Sequence, residues 1–325
     1  MSKSAVVFGG AGFIGCHLLS HLSASGKYER LISADIKPPR FNVSGVEHAE
    51  IDVRQPIPDD LCPGVTEIYN LAAVHTTPGY EDWEYYWTNI LGATHVADYA
   101  RRLAVNTIIF TSSIAVYGAT EAIKDENSPL TPNSAYGASK LCAEKIHALW
   151  QAERPAERRL VVVRPAVIYG YTERGNFTRL AGLLKKKRFV FPGRTDTVKA
   201  CGYVKDLVRS IEFMLQRGEP TVTYNFCHAE RYTTQQITQS FSRVAGYKPA
   251  RMVFPLSFMM FGAWIFEMLA KIGIKTSINR PRILKLILSN NIQPTRLTEL
   301  AFPYAYTLDE ALADWLKDSG GADFL

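Results

Sequence analysis

Residues 4–15 read SAVVFGGAGFIG, a short apolar run that leads directly into a glycine-rich turn. The apolar run is typical of a buried parallel strand. Gly9, Gly12 and Gly15 permit a tight turn, let backbone amides approach a pyrophosphate, and let the next helix pack closely on its strand. Leucines at helical spacing follow at once. The order of strand, turn and helix therefore predicts a dinucleotide-binding unit.

A carboxylate follows the second predicted strand. Residues 31–34 read LISA, and Asp35 stands at their end, 20 residues after Gly15. A carboxylate there accepts hydrogen bonds from the adenosine ribose hydroxyls and repels a 2′-phosphate. This favours NAD over NADP, although Lys37 and Arg40 nearby keep NADP open as the alternative.

Strand and helix patterns alternate over residues 4–168. Further strands are predicted over 48–51, 67–73, 107–110 and 160–163, and helices over 87–102 and from Tyr136 towards Trp150. Such alternation is typical of an α/β fold with a Rossmann-type doubly wound parallel sheet. The remaining residues are expected to form a smaller C-terminal lobe.

Tyr136 and Lys140 lie four residues apart and therefore share one face of their helix. An ammonium beside a phenol favours the phenolate, so we expect the pKa of Tyr136 to fall. Such a tyrosine can take a proton from an alcohol or return it to a carbonyl oxygen. Ser112 and Ser113 end the preceding strand, at the sheet edge where open α/β sheets bind their ligands. A Tyr-x-x-x-Lys pair alone is also typical of a solvated helix face.

Composition is that of a soluble globular enzyme. The 325 residues are 47% hydrophobic and 21% charged, and the formal net charge of +6 suits an anionic substrate. The densest basic run, residues 185–188, is interpreted as a solvated helix end. The five cysteines form no C-x-x-C pair, which points to a reducing cytoplasm, and the N-terminal strand predicts that no signal peptide is present. His17 and His21 lack an evident third ligand, so no metal is expected.

Several motifs occur together in register. They are Gly9-x-x-Gly12-x-x-Gly15, Asp35, Asp52, Leu71-Ala72-Ala73, Ser112-Ser113, Val116-Tyr117-Gly118, Tyr136-x-x-x-Lys140 and the run from Arg164-Pro165 to Gly170. As a set they resemble the extended short-chain dehydrogenase/reductases, specifically the nucleotide-sugar epimerases and dehydratases. The C-terminal part is similar to bacterial hexose and N-acetylhexosamine 4-epimerases and 4-ketoreductases of surface-polysaccharide synthesis.

The resemblance implies a role for each matching position. Ser113, Tyr136 and Lys140 would be catalytic. The cofactor, NAD, would contact Gly9, Gly12, Phe13, Ile14, Gly15, Asp35, Asp52, Val53, Leu71, Ala72, Ala73, Asn89, Ser112, Tyr136, Lys140 and Pro165. The substrate would contact Ser113, Tyr136, Asn176 and Lys199, the last standing where relatives often carry Arg. The NAD-binding domain would comprise residues 1–170 and about 200–228, and the sugar-nucleotide lobe about 171–199 and 229–325.

The residues after Ser113 discriminate between reactions. Family dehydratases carry an acid and a base directly after this serine, and related decarboxylases carry a glutamate, whereas this chain has Ile114-Ala115. Dehydration and decarboxylation are therefore disfavoured. NAD-dependent 4-epimerisation of a nucleotide-linked hexose through a 4-keto sugar is the first hypothesis. The alternatives are an NAD(P)H-dependent 4-ketoreductase or dehydrogenase, a 4-epimerase of a lipid-diphosphate-linked N-acetylhexosamine, and a cofactor-binding scaffold without turnover.

Residues 254–274 are very apolar and are followed by several basic residues. The run is interrupted by Glu267 and is too short for a spanning helix. A helix packed in the C-terminal lobe or against a partner chain is one interpretation, and weak contact with an anionic membrane surface is the other. By resemblance, a homodimer is expected through helices 87–102 and 137–150. No nucleic-acid partner is expected.

Overall fold

A computed structural model describes residues 3–76, 79–271, 280, 287–321 and 323–325, with the backbone alone for 269–271. Its strands are β1 (Lys3–Phe8), β2 (Tyr28–Asp35), β3 (Val46–Glu50), β4 (Glu67–Asn70), β5 (Thr107–Thr111), β6 (Thr120–Lys124), β7 (Arg159–Pro165), β8 (Val167–Tyr169), β9 (Phe191–Pro192), β10 (Cys201–Tyr203), β11 (Thr221–Phe226), β12 (Val253–Phe254) and β13 (Asn290–Ile292). Its helices are α1 (Phe13–Ala24), α2 (Asp82–Arg102), α3 (Ala135–Ala152), α4 (Asn176–Lys185), α5 (Val204–Gln216), α6 (Thr234–Ala245), α7 (Leu256–Lys271), α8 (Thr295–Glu299) and α9 (Leu308–Asp318).

Seven strands form one parallel sheet in the order β11-β7-β5-β4-β1-β2-β3. Strand β1 pairs with β2 on one side and β4 on the other. The strand order therefore reverses at β1, and this reversal opens the crevice in which doubly wound sheets bind ligands. The predicted Rossmann-type α/β fold is confirmed.

The sheet is buried on both faces. Ala5 and Val7 contribute to one hydrophobic cluster, and Val6 and Phe8 contribute to the cluster on the opposite side. Successive side chains of a strand point to opposite faces, so a strand buried on both sides needs a continuous apolar run. Residues 4–8 supply that run, and the glycine turn follows where it ends.

Two boundaries and one strand differ from the sequence-based expectation. Helix α2 begins at Asp82 instead of 87, because Glu81 and Glu84 form a capping box at its start. Strand β4 ends at Asn70, since the chain after Leu71 leaves the sheet. The seventh strand, β11, was not predicted as a strand, although residues 200–228 were assigned to the same domain. Its alternating threonines make it half polar, and pairing with β7 decides its conformation.

Three pairs of short strands lie outside the seven-stranded sheet. Strand β8 pairs with β10, β9 with β12, and β6 with β13. Helix α7 follows β12 after one residue. Within the described residues, no helix combines the length and the hydropathy needed to cross a bilayer.

Candidate active site

The glycine turn leaves the start of α1 open. Gly12 is the N-cap residue in an extended conformation, and no side chain accepts from the first amides of the helix. Helices α3, α6 and α9, in contrast, are capped by Ser134, Thr233 and Thr307. A Cβ on Gly15 would lie 2.3 Å from the Gly9 carbonyl oxygen, so only glycine permits this packing. Uncapped amides at a helix N-terminus fit a pyrophosphate group.

Asp35 is held beside this turn by two backbone amides. Ala11 N donates to its Oδ2 over 3.2 Å, and Lys37 N donates to its Oδ1 over 3.1 Å. A carboxylate has about four acceptor positions. The positions left over suit ribose hydroxyls, in agreement with the role predicted for Asp35.

Tyr136 and Ser113 are brought together by a close contact between α3 and the segment after β5. Ser134 caps α3 by accepting from Gly137 N over 3.1 Å. A Cβ on Gly137 would lie 2.4 Å from the Ala115 carbonyl oxygen, so glycine is needed for this approach. The Ser113 hydroxyl lies beside the phenol of Tyr136 and lowers its pKa. The two predicted catalytic hydroxyls therefore form a pair.

Lys140 lies one turn further along α3 and is buried. Its Nζ donates to the Thr111 carbonyl oxygen over 2.6 Å and lies 4.7 Å from the centroid of the Phe110 ring. An ammonium has three donors. The remaining donors can hold a ribose of the cofactor, which is the role predicted for Lys140.

A pocket of about 520 Å³ opens beside Tyr136. Its wall combines Tyr80, Tyr85 and Tyr86 with polar groups that include Asn133 and Ser134. Apolar faces with a few polar groups are typical of small-molecule sites. The Tyr85 hydroxyl donates to the Thr76 carbonyl oxygen over 2.5 Å, and its ring centroid lies 6.1 Å from that of Tyr136. Sequence reasoning missed Tyr85, although it stands four residues before Asn89 and so shares its helix face.

A buried ion pair lies behind the catalytic residues. Arg164 donates to both carboxylate oxygens of Glu144 over 2.9 and 2.7 Å, and to the Tyr117 hydroxyl over 2.7 Å. Ser112 donates its hydroxyl to the same carboxylate, and Tyr117 donates to Asn225 over 2.9 Å. The network joins β5, α3, β7 and β11 behind the cleft.

The family model for the NAD dependent epimerase/dehydratase family matches residues 5–227. The chain belongs to this family. The 4-epimerase of N-acetyl-alpha-D-glucosaminyl-diphospho-ditrans,octacis-undecaprenol from Escherichia coli O157:H7 is 28% identical over 314 residues, which are 96% of this chain and 94% of the relative. An uncharacterized UDP-glucose epimerase of Bacillus subtilis is 26% identical and covers 75% of this chain and 82% of its own.

Solved structures have the same fold. The UDP-N-acetylglucosamine 4-epimerase from Bacillus cereus superposes with a TM-score of 0.76 at 18% identity and covers 100% of this chain and 99% of its own. MoeE5 in complex with UDP-glucose and NAD has a TM-score of 0.76 at 20% identity and covers 98% and 99%. As a member of an NAD-dependent epimerase/dehydratase family, the chain uses NAD as its cofactor.

The expected effect of Lys140 on Tyr136 is wrong for the protein as described. Burial raises the pKa of Tyr136 above its ordinary value, the Ser113 hydroxyl lowers it, and Tyr85 raises it. Burial also lowers the pKa of Lys140 to about 7, against a smaller opposing effect of Glu144. The sequence pattern predicts the spacing of Tyr136 and Lys140 but not their burial. Burial removes water from both side chains and therefore favours the neutral phenol of Tyr136 and the neutral amine of Lys140.

Lys140 is therefore expected to make stability depend on pH. Between pH 7 and its ordinary value of 10.5 the unfolded chain binds a proton at Lys140 that the folded chain lacks. Stability should rise with pH across this window, by roughly 4 kcal/mol from this residue. Chemical unfolding of the ligand-free protein at about pH 7 and about pH 10 measures the rise. Lys140→Met should abolish it, and Lys145→Met, on the exposed side of α3, should not. An equal rise in all three proteins would contradict this prediction.

Other predicted cofactor residues lie around the same crevice with varied contacts. A Cβ on Gly9 would lie 2.7 Å from Ala72 N, so the segment 71–73 crosses the glycine turn. Asn89 holds Val74 through both backbone groups and donates to the Ser139 hydroxyl over 2.9 Å. It thereby links α2 to α3. The Ser112 hydroxyl donates to Glu144 of the buried ion pair. Its proton is therefore not free for the predicted contact with the cofactor.

Five further predicted cofactor residues lie after β3, at the start of α1 and at the end of β7. Asp52 is engaged by Arg54, whose guanidinium lowers its pKa. Val53 is buried, and its carbonyl oxygen lies 2.8 Å from His95 Nδ1. Phe13 and Ile14 begin α1 and are half-buried. Pro165 ends β7 opposite Phe226 of β11.

The predicted substrate residues Asn176 and Lys199 have protein partners. Asn176 begins α4 and accepts from Arg179 over 3.2 Å. The amides at this helix start donate to Glu173, a carboxylate that sequence reasoning missed. Lys199 donates to the Leu288 carbonyl oxygen over 2.6 Å. Neither contact brings these residues to Tyr136, so their substrate roles stay predictions.

His17 and His21 contact different partners. His17 Nε2 lies 3.0 Å from the Tyr171 carbonyl oxygen, and His21 Nε2 lies 2.7 Å from Glu212. Among the residues with described positions, no three or more His, Cys, Asp and Glu side chains are grouped to hold a metal ion.

Asp35→Asn is expected to weaken NAD binding by roughly tenfold, because a charge-assisted hydrogen bond to a ribose hydroxyl becomes a neutral one. The same change should reduce discrimination against NADP, since the repulsive charge is removed. Calorimetric titration of both cofactors into the variant measures the two effects. Asp60→Asn, on the exposed surface, is the control. Unchanged affinities for both cofactors would show that Asp35 does not face the ribose.

Proposed function

We propose that this protein is an NAD-dependent 4-epimerase of a hexose carried on a diphosphate. The observation that carries the proposal is the pairing of Ser113 with Tyr136 one helix turn from the buried Lys140, in a chain whose glycine turn leaves the start of α1 open. The segment after Ser113 supplies Ile114 and Ala115 in place of a second acid and base. Reversible oxidation at a single carbon needs no more than this pair and the cofactor.

In the proposed reaction, Tyr136 accepts the proton of the C4 hydroxyl as the C4–H bond breaks. When bound, oxidised NAD supplies a reversible acceptor for the C4 hydrogen with its electron pair, and a positive charge that favours ionisation of Tyr136. Ser113 hydrogen-bonds the C4 oxygen throughout. Tyr136 returns its proton to that oxygen when the hydrogen is restored on the opposite face of the sugar. Lys140 holds the cofactor ribose through the donors that Thr111 leaves open.

Two carriers of the sugar are proposed. A nucleoside diphosphate is the first, as in the solved UDP-sugar epimerases with the same fold. A lipid diphosphate is the second, and it is supported by the similarity to the Escherichia coli undecaprenol-diphosphate sugar epimerase over 96% of this chain. A 4-ketoreductase with exchanging NAD(P)H is the competing reaction.

Assembly and location follow as proposals of the same kind. Helices α2 and α3 expose Trp83, Trp87 and Leu149, which supports a homodimer through these helices. Residues 1–170 and about 200–228 are proposed as the cofactor domain, and about 171–199 and 229–325 as the substrate lobe. Five cysteines without a disulfide support a cytoplasmic location, and a role in polysaccharide biosynthesis follows from the substrate class.

The test supplies the purified protein with UDP-glucose, UDP-N-acetylglucosamine or N-acetylglucosaminyl-diphospho-undecaprenol, without added reductant. Proton NMR should detect the 4-epimer of at least one. Formation of no epimer from any of the three by protein that binds NAD would overturn the proposal. Consumption of NADPH by a 4-keto sugar would favour the ketoreductase instead.

A further inference from the structure

Helix α7 turns apolar side chains towards solvent. On its exposed face, Phe258, Phe261, Ile265 and Met268 follow one another at intervals of three or four residues, with Trp264 beside them, and Phe266 is also exposed. Phe258, Phe261 and Trp264 are 65%, 60% and 46% exposed, whereas Ala263 on the other side is buried. A surface helix ordinarily carries the reverse arrangement, with its apolar stripe facing the core. The exposed face is therefore a candidate interaction surface.

Strand β12 extends this face. Met252, Val253 and Phe254 are all exposed. The ring centroids of Phe254 and Phe258 lie 6.3 Å apart, and those of Phe261 and Trp264 lie 5.9 Å apart. Strand β12 and the exposed face of α7 thus form one continuous aromatic patch, called here the α7 surface.

The α7 surface is nearly free of charge within its own elements. Glu267 is the single charged residue between 252 and 268. It is half-buried at the edge of the exposed face, three residues after Trp264, and it pairs with Arg280 over 2.9 Å. An apolar layer can therefore cover the exposed face without burying an unpaired charge.

Basic side chains gather at one border of the α7 surface. Strands β9 and β12 are parallel, with Phe191 opposite Val253. The run Lys186-Lys187-Arg188 leads into β9, and Lys248 and Arg251 lead into β12, so both basic runs enter the same two-stranded sheet. Paired strands lie about 5 Å apart. All five side chains are exposed, and no ion pair between described residues involves them.

We propose that the α7 surface seats the protein on an anionic lipid bilayer. Aromatic side chains on one helix face, with lysines and arginines at its border, are the combination that binds the interface between acyl chains and acidic headgroups. A second copy of the chain is a poorer occupant, because its own α7 surface is nearly uncharged and offers the basic border no opposite charges. The described part of α7 is 16 residues long and lies along the interface without spanning it.

The consequence for the substrate rests on the proposed function. A sugar joined by a diphosphate to a membrane lipid stays at the bilayer surface, and an enzyme seated there meets it directly. The α7 surface thereby favours the lipid carrier over the nucleotide carrier as the physiological substrate class. A nucleotide sugar would reach the same catalytic residues from solution.

The experiment is flotation of the full chain with vesicles of phosphatidylcholine alone or mixed with phosphatidylglycerol. The protein should float with the mixed vesicles, and raised salt should release it. Phe261→Ser combined with Trp264→Ser should abolish flotation, whereas Ile123→Ser, a similarly exposed apolar residue on β6, should not. Arg188→Gln combined with Arg251→Gln should weaken binding to the mixed vesicles by at least about fivefold. Lys145→Gln combined with Lys317→Gln is the matched control.

The outcomes separate this proposal from the proposed function. Turnover of a soluble UDP-sugar, measured without vesicles, should be the same in the α7 variants and in the unaltered protein. Absence of turnover in all of these proteins would count against the proposed epimerase activity and not against membrane binding by the α7 surface. Protein that stays unbound with both kinds of vesicle would overturn the membrane proposal. So would flotation that the α7 variants leave intact, or an oligomer that those variants dissociate in the absence of lipid binding.

Discussion

Tyr136→Phe is expected to lower turnover of the sugar substrate by about a hundredfold to ten-thousandfold. The phenol can both take a proton from an alcohol and return it, and the Ser113 hydroxyl lies beside it. Phenylalanine keeps the ring and its contact with Tyr85 but removes the proton carrier. NAD binding should stay within a few-fold, because the glycine turn and Asp35 are untouched.

The measurement is initial-rate epimerisation at saturating substrate, with calorimetric NAD binding on the same preparation. Tyr247→Phe is the matched control, since the ring of this tyrosine packs against Phe324 in the C-terminal segment and its hydroxyl has no proposed catalytic role. A Tyr136→Phe variant that retains more than about a tenth of the rate would show that another group moves the proton. A variant that also fails to bind NAD would mean that the residue acts through structure.

Arg164→Met is expected to lower the free energy of unfolding by about 3–5 kcal/mol. Arg164 and Glu144 are both buried, and among the described side chains the substitution leaves the Glu144 carboxylate with only the Ser112 hydroxyl as a hydrogen-bond donor. An uncompensated buried charge is costly because neither water nor a counter-ion replaces its lost solvation. The damage should spread to the active site, since Glu144 lies one turn beyond Lys140 on α3.

Denaturant unfolding of the ligand-free protein measures this loss. Arg243→Met, which removes an exposed ion pair with Asp309, is the control and should cost less than about 1 kcal/mol. Adding Glu144→Leu to Arg164→Met should recover part of the stability, because both charges are then gone. Similar losses of unfolding free energy in Arg164→Met and Arg243→Met would contradict the prediction that breaking the buried ion pair costs more than breaking the exposed one.

The sequence was sufficient for six of the seven strands of the sheet because their signals are local. An apolar strand, a glycine turn and Asp35 at the next strand end each depend on a few neighbouring residues, and the observed strands β1 and β2 contain them. The spacing of Tyr136 and Lys140 is equally local, and both lie on the same helix. Strand β11 was missed because its conformation depends on pairing with β7, which is distant in sequence.

The environment of the site could not be predicted in the same way. Burial decides the pKa of Tyr136 and Lys140, and burial is the sum of contacts from α2, α3 and β5. Glu144 had a local signal, since it follows Lys140 by four residues, but its partner Arg164 lies on another element. Lys199 and Asn176 were predicted by analogy, and their observed partners, Leu288 and Arg179, depend on packing of the C-terminal segments.

The most direct test of the central claim follows a deuterium atom placed at C4 of the sugar. We expect the 4-epimer to keep this deuterium, because the hydrogen leaves and returns within one site while only the hydroxyl proton exchanges through Tyr136. The same reaction in D₂O with unlabelled sugar should place no deuterium on carbon. Loss of the label from C4, or solvent deuterium on any carbon of the product, would contradict oxidation and reduction at that carbon.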